Sequence, residues 1–165
     1  MNLYLAVKTI HILSSVLLVG TGFGTAFYLF FANRVGLARS TRASMEAQAV
    51  VARLVVRADL WFTTPAGIVQ PLSGFALMRL AGWPITAPWL ALSLVLFVLA
   101  GVCWLPVVVL QVRMARTVAA DLAAGRPLSE SYWRDARAWE RLGYPAFVAM
   151  IGIYVLMVNK PVLWG

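Results

Sequence analysis

From Ala87 to Leu110 the chain carries no charged side chain, and from Thr9 to Ala32 it carries no acid, Arg or Lys. Two further stretches, Leu60 to Leu80 and Leu142 to Val158, are nearly as apolar. A helix needs roughly 20 mostly apolar residues to cross a bilayer core about 30 Å thick. None of the four stretches alternates strictly in the manner of an outer-membrane strand. Each must therefore satisfy its backbone within itself, as a helix. The whole composition agrees: 62% of residues are hydrophobic and only 12% are charged, against ~25% charged in an ordinary soluble domain. So few polar side chains cannot cover a soluble protein. A soluble enzyme, a disordered chain and a free nucleic-acid-binding domain are excluded, despite a net charge of +8.

The expected fold is all-α: one membrane domain over residues 1–165, a four-transmembrane-helix bundle with spans at about 9–32, 60–80, 87–110 and 142–158. Orientation follows from charge. Of the 14 basic residues, all but Lys8, Arg79 and Lys160 fall in the two long connecting segments, Arg34 to Arg57 and Arg113 to Arg141. The positive-inside bias places both segments in the cytoplasm and both termini outside. The first apolar run is too long for a signal-peptide core and ends in Asn33-Arg34, so it reads as an uncleaved span.

The connecting segments are expected to be helical extensions of the spans. Ala43 to Val56 has no Gly or Pro, and Tyr132 to Leu142 sets Trp133 and Trp139 among charges, as an interfacial helix would. Gly125-Arg126-Pro127 should break the chain between them. Trp83, Trp89 and Trp164 suit an outer aromatic belt. Cys103, the single cysteine, allows no intramolecular disulfide.

Polar groups within a span are expensive and need a reason. In the first span Lys8, His11, Ser14, Ser15, Thr21, Gly22 and Thr25 recur at steps of three and four, which makes one stripe on a helix. Gly20 and Gly24 form a small-xxx-small pair suited to close packing. His11 is the only histidine. A lone intramembrane His can ligate haem iron, relay protons or serve packing. As a haem ligand it excludes a bis-His haem within one chain and leaves open a pentacoordinate haem, a haem shared between chains, or a His/Met pair, with Met78 and Met157 at its depth. In the second span Pro65 and Pro71 each remove an intrahelical hydrogen bond. Gln70, about mid-bilayer, must pair with the first span's stripe or line a pocket. Lys8 and Lys160 either snorkel to headgroups or receive carboxylates such as porphyrin propionates. Asp59 sits at the inner edge of the second span, and no acid lies deeper.

Several of these residues carry a resemblance. Leu5-Ala-Val-Lys8-Thr-Ile-His11-Ile with Gly24-Thr-Ala-Phe27-Tyr28-Leu29, then Thr64-Pro65-Ala66 through Leu72-Ser-Gly74, then Tyr154 through Asn-Lys160-Pro161, resemble the HemJ and CopD-like membrane proteins. More closely, nearly the whole chain resembles a bacterial family of predicted integral membrane proteins, domain of unknown function 2269. The HemJ resemblance implies b-type haem or porphyrin binding: His11 as axial ligand to the iron, Lys8 and Lys160 on propionates, Met78 as sixth ligand, Gln70 in the pocket. If it extends to catalysis, it implies a membrane oxidoreductase similar to protoporphyrinogen oxidase. This chain lacks the HemJ pattern's further His after the first span and the Lys in its third. It also reads Gly143-Tyr144-Pro145 where that pattern has Asn-Glu-Pro. The implied partners are the bilayer, a second copy, or a respiratory or haem-pathway membrane protein, with no nucleic acid. Two other readings stay open: a non-enzymatic accessory or assembly subunit with a structural His11, and a small transporter of the kind CopD-like proteins suggest.

Overall fold

A computed structural model describes residues 2–39 and 41–163; Trp164, expected in the outer belt, lies outside them. Among the described residues all regular structure is helical. The elements are α1 (Leu3–Arg39), α2 (Arg42–Ala58), a π-helical turn (Asp59–Thr63), α3 (Thr64–Ala81), α4 (Pro88–Ala123) and α5 (Glu130–Asn159). At about 1.5 Å per residue the 37 residues of α1 reach about 55 Å, well beyond a bilayer core.

By length and composition, α1, α4 and α5 can cross a membrane. The second expected span, Leu60 to Leu80, is helical throughout, but Gln70, Pro71 and Arg79 dilute its apolar character and α3 does not join those three. Composition alone thus yields three candidate crossings.

The connecting segments differ from simple extensions. α1 does continue to Arg39, but α2 is a separate helix with its own start. Thr41 Oγ1 accepts from the Ser44 N–H (3.2 Å) and the Thr41 N–H donates to Ser44 Oγ (3.0 Å), a capping box. At its other end α2 does not stop. It passes through the π turn into α3 with every junction residue in the right-handed helical region. The Thr64 N–H reaches the Asp59 carbonyl five residues back. The next residue, Pro65, has no N–H for a carbonyl four residues back, so the wide turn sits where the ladder is already interrupted. Tyr132 to Leu142 is likewise no separate interfacial helix. It is the first part of α5, with Tyr132 and Trp139 buried against other helices.

The core lies at the end where α2 packs. Leu29, Ala52, Val55, Met114, Val118, Tyr132 and Trp139 form one cluster drawn from α1, α2, α4 and α5. Two ion pairs tie helices together there: Arg34 of α1 with Glu140 of α5 (3.4 Å) and Arg113 of α4 with Asp135 of α5 (3.1 Å). A polar set completes this collar. The Tyr132 hydroxyl donates to Asn33 Oδ1 (2.6 Å), and Gln48 Nε2 donates to the same oxygen (3.4 Å). Gly36 is required, because a Cβ there would fall inside the Gln48 amide. Gly20 and Gly24 have open space where a Cβ would be, so the expected small-xxx-small contact is not made within the chain.

Beyond the collar the helices separate into two pairs, α1 with α3 and α4 with α5. At the far end Met78 of α3 packs on Ala87, Trp89, Leu90 and Leu156, which rejoins the pairs. Between the two closures the outward faces are largely exposed Leu, Val, Ile and Phe, as a lipid-facing surface requires.

Candidate functional site

Two places gather polar groups in the apolar part of the bundle. The first joins α1 to α3. His11 and Ser14 lie one turn apart on α1, and Gln70 and Ser73 lie one turn apart on α3, so each helix presents a two-rung polar face. His11 Nδ1 lies 2.9 Å from Ser73 Oγ, and Nε2 lies 3.2 Å from Gln70 Nε2. Ser14 Oγ donates to Gln70 Oε1. The proton positions follow from donor supply. The single Ser73 hydroxyl proton is directed to the Val69 carbonyl (2.7 Å), so Ser73 Oγ can only accept from the ring, and Nδ1 carries the hydrogen. Nε2 then holds the lone pair and accepts from the Gln70 amide. Both ring nitrogens are thereby occupied by α3. Gly74 leaves room for the ring: a Cβ there would stand 3.2 Å from His11 Cε1.

The other residues grouped with His11 by sequence are not brought to it. Lys8 is exposed, its Nζ over the Tyr4 ring at 5.9 Å. Lys160 caps α5 in the left-handed region, its Nζ 5.4 Å from the centroids of both Trp83 and Trp89. Met78 and Met157 pack on the outer apolar cluster. Only Gln70 of this group meets the imidazole.

The second place was only half visible in the sequence. A cavity of about 320 Å³ lies between the helix pairs, on the collar side of the bundle. Its walls come from α1 (Leu18, Gly22, Thr25), α3 (Gly67), α4 (Ala100, Gly101, Trp104) and α5 (Gly143, Phe147). Small residues face it from all four helices, so the helices meet without filling the middle. At its collar end stand Asp59, Thr63 and Gln111, all buried. Thr63 Oγ1 donates to Asp59 Oδ1 (2.9 Å), and the Gln111 side chain also hydrogen-bonds the Asp59 carboxyl. Gln111 Oε1 has no partner. Asp59 was legible as an acid at a span's inner edge. Gln111, one residue past the third expected span, was the missed signal: an uncharged polar residue at the same depth.

The described residues hold no group of three or more His, Cys, Asp or Glu side chains suited to a metal ion. No curated protein and no solved structure matches the chain. The resemblance to HemJ and CopD-like proteins is accordingly not shown by these comparisons. A family profile described as "predicted integral membrane protein (DUF2269)" matches residues 5–161. The chain belongs to this family of integral membrane proteins.

Proposed function

We propose that the protein is a non-enzymatic accessory subunit of the bacterial inner membrane, a four-span bundle with both termini outside, in which His11 is a structural clasp. The observation that carries this reading is the double engagement of the imidazole by Ser73 and Gln70. α3 is the least apolar of the crossing helices, and its Gln70 amide would be stranded in lipid without partners. His11 and Ser14 supply them. The clasp therefore explains how a segment carrying Gln70 and Pro71 is held within the bilayer. Its protein partner would be a second copy or another membrane protein. The orientation rests on the basic residues, which gather at the collar end.

A b-type haem on His11 is the competing reading, and it draws on the HemJ-like motifs. The residues in their present arrangement do not fit it. Nε2 is taken by Gln70, while Lys8, Lys160 and Met78 are each turned to other contacts.

The visible spectrum of protein purified in detergent after expression with ample haem separates the two. The clasp reading expects no Soret band that depends on His11. It also expects His11→Ala to lower stability by about 1–3 kcal/mol, because buried hydrogen-bonding groups on α3 lose their partner. A Soret band in the wild type that disappears in His11→Ala, with stability unchanged, overturns it.

A further inference from the structure

The cavity beside the collar combines three features. Its walls are apolar and partly aromatic, with Trp104 and Phe147 among them. Asp59 is the one ionisable group among the described residues lining it, is 4% exposed, and has no ion-pair partner. Gln111, 5% exposed, lines the same end with an unpartnered amide oxygen. An acyl chain entering from the bilayer would suit the walls but would leave that end as it is. The unpartnered atom there, Gln111 Oε1, is an acceptor, and the Asp59 carboxylate beside it is an acceptor as well. Whatever completes the site must bring hydrogen-bond donors. A buried acid is also stabilised by a positive charge, and aromatic faces attract cations.

We propose that this cavity binds a hydrophobic amine in its protonated form, the ammonium between Asp59 and Gln111 and the apolar body along Trp104 and Phe147. The volume of about 320 Å³ falls within the ~300–1,000 Å³ typical of small-molecule sites and suits a two-ring aromatic body. α3 and α4 pack little against each other, and Ile68 and Leu105 on the cavity's rim are exposed, so a ligand dissolved in the bilayer can enter sideways. The π turn places Asp59 and Thr63 on the cavity side together, the kind of local widening that recurs at binding sites. This inference does not depend on the role of His11.

The test is isothermal titration of the full-length protein in detergent with 1-naphthylmethylamine, and with 1-naphthalenemethanol as its neutral counterpart. The amine is expected to bind at least tenfold more tightly than the alcohol. Asp59→Asn should reduce amine affinity at least tenfold and leave alcohol binding unchanged. Gly101→Leu, placed where open space surrounds the missing Cβ on the cavity wall, should abolish saturable binding of both while the helix stays intact. Equal affinity for the two probes overturns the proposal, as does an Asp59→Asn protein that binds the amine like the wild type. Binding that survives Gly101→Leu, which would be partition into the micelle, also overturns it.

Discussion

Asp121 is fully buried at the end of α4, where burial alone would push its carboxyl up. That effect is outweighed. The Ser129 N–H (2.8 Å) and hydroxyl and the Arg126 guanidinium (2.7 Å) all stabilise the carboxylate and hold it below the ordinary range. A carboxylate depressed in the folded state contributes stability that is complete above its unfolded pKa of about 3.9 and disappears as pH falls through the folded value. Asp121→Asn should therefore melt well below the wild type at pH 7, with the gap closing towards pH 3. A gap of constant size across that range would contradict the assignment. The neighbouring Tyr132 phenol is pushed up by burial, which keeps it a neutral donor to Asn33. Single residues were unevenly legible in the sequence. The three-residue steps His11–Ser14 and Gln70–Ser73 define faces from one helix alone, so a Gln70 pairing with the first span's stripe was within reach of the sequence. Lys8, Lys160 and Met78 share only a depth with His11. Depth fixes height along the bundle but not direction around it, and their side chains turn to Tyr4, to Trp83 and Trp89, and to the outer cluster.

At the scale of elements, the apolar runs announce the helices but say little about their joints. The start of α2 depends on Thr41 and Ser44 bonding each other's backbone N–H. The familiar form of this cap has Glu or Gln at the fourth position; Ser there, inside an alanine-rich run, gives no clear break. Replacing an N-cap Thr with Ala costs about 0.5–2 kcal/mol. Thr41→Ala should speed hydrogen exchange at the first amides of α2, with the amides of Val55 and Val56 unaffected; unchanged exchange at Ala43 to Met45 would show that the cap does not secure the helix. The passage from α2 to α3 was equally hidden. A loop would ordinarily separate a polar helix from a more apolar one, whereas here a π turn keeps the rod unbroken and carries Asp59 and Thr63 inward. Tyr132 to Leu142 looked interfacial because Trp and Arg alternate there. The buried partners that instead draw Tyr132 and Trp139 into the collar come from α1, α2 and α4, far away in sequence.

For the whole molecule, packing is concentrated at two ends: a polar-and-apolar collar around α2 and a smaller outer cluster around Trp89. Lipid serves in place of protein neighbours between them, so the helix pairs can stand apart and enclose a cavity. The helical class and the gathering of arginines were readable because both depend only on composition along the chain. The cavity was not, because it arises from small residues on four separate helices that face one another only after folding. The account as a whole depends on α3 crossing the bilayer, the one crossing that apolar composition does not supply and that the His11 clasp would secure. Single cysteines in a Cys103→Ser background, treated in intact cells with a membrane-impermeant maleimide, test this most directly. Thr86→Cys in the α3–α4 hairpin should label from outside at once, and Ala43→Cys at the exposed start of α2 only after the membrane is permeabilised. Thr86 and Ala43 sites that label from the same side would mean that α3 does not cross, and the four-span bundle with its clasp would have to be abandoned.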